Sequence, residues 1–313
     1  MTDTAPPAAP LPAPPAPWSA GATSPAPGCD PPVQLRDFGG PAGAPVLLCL
    51  HGLGGSALNW GALAPLLTGT HRVLAPDLAG HGGSPAPGGP GRALDALTRQ
   101  VRAHLRAARR QAAGAPVTLV GHSLGGVVAV LTADEPAVER LVLLAPPVPR
   151  PVRGRVDAAL LARLALLRAP GTAAAVRRLT ARRAPDELVL EQVRAATPHP
   201  SRVPAAALRA AAEEVAEQAA RPGAAADEAF RWAAVLETTA FLARTGAWRR
   251  SLASVRVPAL WVQGADDPRV RAAHAAAWAA HVPAARFELL AGVGHLPHLE
   301  DPRRTAALLR GAR

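Results

Sequence analysis

The sequence predicts an α/β protein with a mostly parallel, doubly wound sheet. Short apolar runs of strand length alternate with longer stretches in which apolar residues recur at helical spacing. Several of the short runs end in a glycine-rich turn, at the edge where an open parallel sheet places its chemistry. The 313 residues leave room for one large domain with an insertion, or for two domains.

The first half of the chain begins with a segment that has too few large apolar residues to form a hydrophobic core. Residues 1–32 are dominated by Pro, Ala, Gly and Ser, so we predict that they form a disordered tail. Strand-like runs follow at residues 33–38, 46–50 and 71–75. Residues 94–113 then predict a helix, because apolar side chains recur at intervals of three and four, at Leu94, Leu97, Val101 and Leu105.

The second half repeats the alternation and then interrupts it. Strand-like runs at 117–120 and 141–144 enclose a helical stretch, after which prolines at 146, 147, 149 and 151 break the pattern. Residues 147–246 are helical in character, with one stripe formed by Leu208, Ala212, Val215 and Ala219. We therefore predict a core made of residues 33–146 and 247–313, with residues 147–246 as a helical cap. A separate helical domain is the alternative.

The turn after the strand at 117–120 carries the strongest chemical signal. It reads Gly121-His122-Ser123-Leu124-Gly125-Gly126 and leads from a strand into a helix, the setting in which such a serine becomes a nucleophile. The glycines suit a strained turn with little room beside the serine. The backbone N–H of Leu124 would then face the place where negative charge develops. We expect the side chain of His122 to point away from Ser123. An ordinary glycine-rich turn is the competing interpretation.

A second glycine-rich loop follows the strand at 46–50 and offers another donor. It reads H-G-L-G-G-S from residue 51 to 56, and the N–H of Leu53 is a candidate partner for that of Leu124 in an oxyanion hole. Two later turns follow the runs at 259–263 and 285–290. They contain Asp266 and Asp267 in the first and His295 in the second. The order serine, aspartate, histidine is that of a catalytic triad in a strand-turn-helix hydrolase.

These segments resemble the α/β-hydrolase family. Residues 77–84, D-L-A-G-H-G-G-S, add to the match, because they are similar to the family's D-x-x-G-H-G-x-S segment. The resemblance runs from about residue 33 to the C-terminus and is weakest between residues 146 and 247. It implies that the insertion is a lid over the active site. It also implies Asp267 as the triad acid, three residues after Gly264, with Asp266 as the alternative.

The residues therefore suggest a serine hydrolase of small acyl compounds such as esters or lactones. A serine hydroxyl needs a neutral imidazole to take its proton, and His295 in its glycine-flanked loop is the candidate base, oriented by Asp267. Serine at position 123 argues against the dehalogenases and epoxide hydrolases that the resemblance includes, which carry aspartate there. Carbon–carbon bond hydrolysis and cofactor-free perhydrolysis use the same arrangement and stay open. A catalytically silent receptor or binding protein for a small molecule is the alternative from another class.

Composition bears on partners and location. The net charge is +11 and all 34 basic residues are Arg, but they are scattered among alanines without interleaved aromatic residues, which argues against nucleic-acid binding. Cys29 and Cys49 form no disulfide framework, and we expect neither metal nor cofactor because no metal-ligand spacing occurs. We predict a cytoplasmic protein, because we see neither a signal peptide nor a membrane span.

Overall fold

One sheet of eight strands forms the centre of the fold. The computed structural model describes residues 18–25, 33–89, 91–111, 114–149, 171, 183–283 and 285–311. In chain order the strands are β1 Ala22–Pro25, β2 Gln34–Asp37, β3 Val46–Leu50, β4 Arg72–Pro76, β5 Val117–His122, β6 Val138–Leu144, β7 Ala259–Gly264 and β8 Ala285–Leu290. Their order across the sheet is β1-β2-β4-β3-β5-β6-β7-β8.

The predicted mostly parallel sheet is confirmed. Strands β4, β3, β5, β6, β7 and β8 run parallel to one another, and the antiparallel pairs β1–β2 and β2–β4 lie at one edge. The chain runs from β3 outward to β4 and then returns to place β5 on the other side of β3. This reversal is a topological switch point, which opens a crevice at the carboxyl ends of the strands.

The predicted disordered tail is wrong for residues 18–25. Strand β1 pairs antiparallel with β2, from Ala22 opposite Asp37 to Pro25 opposite Gln34. The N–H of Ser19 donates to the carbonyl of Gly61, 3.0 Å away, and Trp18 packs on a small apolar cluster beside it. Because the four β1 side chains are exposed, pairing with β2 rather than apolar burial holds the strand. Residues 1–17 and 26–32, with Cys29, lie outside the described residues.

Helices cover both faces of the sheet. In the described part of the chain they are α1 Ala93–Gln111, α2 Leu124–Thr132, α3 Pro185–Arg194, α4 Ala205–Ala220, α5 Ala224–Ala243, α6 Thr245–Ala253, α7 Ala272–Ala279, α8 Pro297–Glu300 and α9 Pro302–Gly311. Short 3-10 helices occur at Ala57–Trp60, Ala64–Leu66 and Pro200–Arg202. The apolar stripe that predicted α1 is buried against the sheet. None of the described helices is long and apolar enough to cross a membrane.

Strand β3 shows how the sheet separates two apolar layers. Leu48 faces the cluster that contains α1 and α2, whereas Leu47 and Cys49 face the opposite cluster with the 3-10 helices and α9. Both faces are covered, so the strand is a continuous apolar run rather than an alternating one. The Cys49 thiol is free and fully buried, and burial raises its pKa.

From residue 183 onward, the insertion predicted at residues 147–246 consists mainly of helices α3, α4, α5 and the start of α6, joined by short turns. Residues 150–170 and 172–182 lie outside the described residues. Helix α5 is tied to the core, since Asp227 accepts from the N–H of Ala86 at 2.6 Å. Glu237 accepts from the first two N–H groups of α1, each at 3.0 Å. The domain boundaries and the lid role stay predictions.

Buried histidines predict a fold that loses stability in acid. Burial lowers the pKa of His104 on α1 from 6.5 to about 4. Between those values the unfolded chain binds a proton that the folded chain does not, so the free energy of unfolding falls as pH falls. We expect His104→Leu to make the free energy of unfolding depend less steeply on pH, by about 1.4 kcal/mol per pH unit. Urea unfolding at several pH values between 4.5 and 6.5 measures it.

His104→Gln is the matched control, because it removes the same titration but keeps a polar side chain. The two variants are expected to differ in stability at neutral pH and to share the shallower acid slope. A wild-type slope in both variants would show that His104 does not titrate on unfolding in this range.

Candidate active site

Ser123 stands at the sharp turn between β5 and α2, and its backbone is strained. Its φ of 50° and ψ of −119° lie in a region that residues with a side chain rarely adopt. Such a conformation costs on the order of 1–3 kcal/mol and persists only where surrounding contacts enforce it. Here the N–H of Ser123 donates to the carbonyl of Leu144 at 3.1 Å, and its own carbonyl accepts from Gly126 at 2.8 Å.

Three backbones meet around this turn so closely that no side chain fits between them. A Cβ on Gly121 would lie 2.4 Å from the carbonyl oxygen of Gly125. A Cβ on Gly125 would lie 2.4 Å from the carbonyl oxygen of Leu50 on β3. The two glycines of the sequence motif therefore serve close approach, which lets α2 begin directly above the ends of β3 and β5.

The structure brings Ser123, His295 and Asp267 together. The Nε2 atom of His295 lies 3.1 Å from the Oγ of Ser123, and its Nδ1 lies 2.8 Å from Oδ2 of Asp267. Both the histidine and the aspartate are buried. Because a carboxylate only accepts, Nδ1 carries the proton, and Nε2 is left to accept from the serine hydroxyl. A hydrogen-bonded chain thus runs from the carboxylate to the hydroxyl.

Of the two neighbouring aspartates, only Asp267 contacts His295. Its Oδ1 accepts from the N–H groups of Arg269 and Val270 at 2.8 and 3.0 Å, and Gln263 donates to its Oδ2 at 2.7 Å. Asp266 points to the surface and pairs with His199 at 2.8 Å. The turn after β7 therefore sends one carboxylate inward and the other outward.

Glu300 fixes the loop that carries His295, and the sequence analysis missed it. Its carboxylate accepts from the N–H groups of Gly294 and Leu296 at 2.8 and 2.9 Å and from the hydroxyl of Thr197 at 2.6 Å. The N–H of His295 itself donates to the carbonyl of Ala196 at 2.9 Å. The sequence feature that could have indicated Glu300 is an acidic residue in the first turn of a helix that begins with proline.

His122 lies beside His295 rather than pointing away from the site. Its Nε2–H donates to the main-chain carbonyl of His295 at 2.9 Å, and the two ring centroids are 5.1 Å apart. Burial lowers the pKa of His122 well below 6.5, so the ring is neutral, and its hydrogen bond supports the His295 loop from below. No local pattern indicates this contact, because it joins residues far apart in the chain.

The two predicted oxyanion donors both lie beside Ser123. Leu124 is the first residue of α2, and Leu53 lines the same cleft as Ser123 and His295. Among the described residues, neither backbone N–H has a protein acceptor, so both are free to bind a ligand. The first N–H of a helix also carries the positive end of the helix dipole, which favours a negative oxygen there.

Residues 77–84 hold the loop that carries Leu53 in place. The carboxylate of Asp77 accepts from the N–H groups of Ala57 and Gly83 at 2.7 and 2.8 Å. The N–H of Leu78 donates to Nε2 of His51 at 2.9 Å. These bonds tie the loop that carries Leu53 to the end of β4, so the D-x-x-G-H-G-x-S segment has a structural role here.

Residues of helices α3 and α4 line the cleft that contains Ser123. Their aliphatic side chains line it, namely Val189, Val193, Ala207, Leu208, Ala211 and Val215. Gln192, Glu214 and Gln218 are the polar side chains from the same helices. The described residues contain no group of three or more His, Cys, Asp or Glu side chains placed to hold a metal ion. The cleft therefore has a mixed lining, with aliphatic side chains beside several polar ones.

Comparison with known proteins identifies the family. Residues 45–302 match the family model of the alpha/beta hydrolase fold. The chain belongs to the α/β hydrolase fold family. This establishes the fold, and it leaves the reaction and the substrate open.

Curated α/β hydrolase relatives match over part of their length. A segment of 106 residues is 36% identical to the magnesium-chelatase 30 kDa subunit of Rhodobacter capsulatus, covering 33% of this chain and 35% of that protein. A segment of 118 residues is 36% identical to an sn-1-specific diacylglycerol lipase of Mus musculus, covering 36% of each. The chain thus matches about a third of the length of these relatives.

Solved structures of α/β hydrolases match over nearly the whole chain. A hydrolase from Pseudomonas aeruginosa PA01 is 26% identical with a TM-score of 0.67, and the match covers 94% of this chain and 100% of that one. A thermophilic esterase from Thermogutta terrifontis is 20% identical with a TM-score of 0.64, covering 93% and 97%. The second likeness concerns the fold alone.

Glu300→Gln is expected to destabilise the protein. The amide keeps one acceptor oxygen where the carboxylate serves three donors, so at least one buried donor loses its partner. Hydrogen bonds to charged groups contribute about 1.5–3 kcal/mol each, and we expect a loss of about 2–4 kcal/mol in the free energy of unfolding. Urea unfolding at neutral pH measures this loss.

Glu288→Gln is the matched control. Glu288 pairs with Arg286 at the surface at 2.6 Å, and exposed pairs of this kind contribute about 0–1 kcal/mol. Equal stability losses in the two variants would contradict the role assigned to Glu300.

Proposed function

We propose that this protein is a cytoplasmic serine hydrolase, of carboxylesterase type, that cleaves a small ester, lactone or related acyl substrate. The observation that carries the proposal is the unbroken hydrogen-bonded chain from Asp267 through His295 to Ser123. The strained turn that presents the serine and the two unpaired N–H groups beside it support the same chemistry.

The first half of the reaction acylates Ser123. The Oγ attacks the acyl carbon while its proton passes to Nε2 of His295. The N–H groups of Leu53 and Leu124 stabilise the oxyanion of the tetrahedral intermediate. The imidazolium then gives its proton to the departing alkoxide oxygen as the carbon–oxygen bond breaks. Asp267 holds the imidazole in the required tautomer and stabilises the positive charge that it acquires.

The second half releases the acid. A water molecule gives a proton to Nε2 of His295 and attacks the acyl carbon, which forms a second oxyanion in the same place. Collapse of this intermediate breaks the bond to Oγ, and the proton returns from His295 to the serine oxygen. No group beyond the chain's own residues and water is required, so the proposal includes no cofactor.

Ser123→Ala tests the nucleophile. We expect turnover of a short p-nitrophenyl ester to fall roughly a million-fold, to the background rate, because no other hydroxyl is hydrogen-bonded to His295 among the described residues. A fluorophosphonate probe should label the wild type at Ser123 and leave the variant unlabelled. The far-UV circular dichroism of the variant should match the wild type.

Ser254→Ala is the matched control, because the Ser254 hydroxyl is exposed and, within the described part of the chain, donates to the carbonyl of Ser251. Its turnover should equal the wild type. A Ser123→Ala variant that kept a tenth of the activity would overturn the assignment, and so would a probe adduct on another residue. Absence of turnover in the wild type on every ester tested would favour the binding-protein alternative.

Asp267→Asn and Asp266→Asn together test the acid. The asparagine at 267 favours the wrong imidazole tautomer, and we expect a roughly ten-thousand-fold loss in kcat. Asp266→Asn should cost far less, because that carboxylate contacts His199 at the surface. Rate constants for a short ester decide between them, with melting temperatures measured alongside.

A larger loss at Asp266 would reverse the assignment of the acid. Small losses in both variants, with the folds intact, would mean that another group orients His295.

A further inference from the structure

Glu214 of α4 is an acidic side chain that lines the active-site cleft, and the proposed reaction does not use it. It projects from α4 into the cleft that also contains Ser123 and His295. The same residue borders a second cavity with Arg36, Asp77 and Arg221, and it is only partly exposed to solvent. An acid that lines this cleft can contact a part of the substrate away from the reacting carbonyl.

The partners of Glu214 leave it without a counter-ion. The Ser56 hydroxyl favours the ionised form of the Glu214 carboxyl group, and the N–H of Leu58 donates to that hydroxyl at 3.2 Å. Among the described residues, Glu214 forms no ion pair. Arg36, whose charge acts on Glu214, donates to the carbonyl of Ala20 at 2.5 Å. Arg221 pairs with Asp227 at 2.5 Å.

The charges around Glu214 are predominantly unfavourable to its ionised form. Burial, then the carboxylates of Asp77 and Glu217, raise its pKa to about 7, although the Ser56 hydroxyl and Arg36 act in the opposite direction. Asp77 is buried and held by two backbone N–H groups, so it cannot turn away. A positive charge placed at Glu214 would offset both the burial and the repulsion.

We propose that Glu214 binds a protonated amine of the substrate. This proposal rests on the proposed hydrolase function and names a substrate class for it: acyl esters whose acyl chain ends in an ammonium group. The methylene chain would lie against Leu208, Ala211 and Val215 of α4, and the ammonium group would reach the Glu214 carboxylate. Ammonium binding requires the ionised acid, so the preference strengthens as pH rises through 7.

The test compares three p-nitrophenyl esters of equal length. The acyl groups are 6-aminohexanoyl, 6-hydroxyhexanoyl and heptanoyl, which differ only in a terminal ammonium, hydroxyl or methyl group. Shorter and longer homologues of each cover the unknown distance to Ser123. We expect the wild type to favour the amino ester over the alkyl ester by about tenfold in kcat/KM at pH 8, equivalent to about 1.4 kcal/mol. The ratio of kcat/KM for the amino ester to that for the alkyl ester should decrease toward pH 6.

Glu214→Gln should abolish this ratio and its pH dependence. Glutamine keeps the shape and an acceptor for Ser56, and it removes only the charge. Glu213→Gln is the matched control, because Glu213 is the adjacent acid of α4 and is exposed to solvent outside the cleft. It removes the same net charge and should leave the ratio at the wild-type value.

The outcomes separate this proposal from the hydrolase function. Alkyl-ester turnover that disappears in Ser123→Ala supports the hydrolase whether or not an amine is preferred. Within that result, equal kcat/KM for all three esters overturns the role of Glu214. A preference for the hydroxy ester does the same, because it indicates a neutral partner. An equal loss of kcat/KM on all three esters in Glu214→Gln would mean that the residue stabilises α4 and does not select the substrate.

Discussion

Three buried carboxylates hold together the loops at the carboxyl edge of the sheet. Asp77 binds the loop after β3, Asp267 binds the turn after β7, and Glu300 binds the turn after β8. Each accepts from at least two backbone N–H groups, which compensate the cost of removing a carboxylate from water. The relative positions of Leu53 and His295 depend on these bonds. The site is therefore built from main-chain geometry as much as from its reactive side chains.

The sequence predicted the parts of the structure that depend on local pattern. The parallel strands, α1 and the turns that bring Ser123, Asp267 and His295 to one edge all follow from apolar periodicity and glycine placement. The sequence favoured Asp267 over Asp266 only through the family resemblance, because local pattern does not show which way each side chain of one turn points. In the structure Asp267 contacts His295 and Asp266 contacts His199.

Contacts between residues distant in the chain were beyond prediction. Glu300 reaches Thr197 across 103 residues, and His122 reaches the His295 carbonyl across 173. Strand β1 was missed for a related reason. Its residues carry little apolar surface, and only the partner strand β2 makes them part of the sheet. Apolar periodicity reports burial, whereas these features depend on hydrogen bonds whose partners the local sequence does not reveal.

The two outermost strands of the described sheet carry features that disfavour pairing with a further strand. Strand β1 is four residues long and ends in Pro25, which has no N–H to offer a neighbouring chain. At the other edge, β8 places the charged pair Arg286 and Glu288 toward solvent, where an added strand would have to desolvate them. Both edges thus discourage intermolecular β-pairing. Removing these features, for example by replacing Pro25 with valine and Arg286 and Glu288 with apolar residues, would create a template for aggregation.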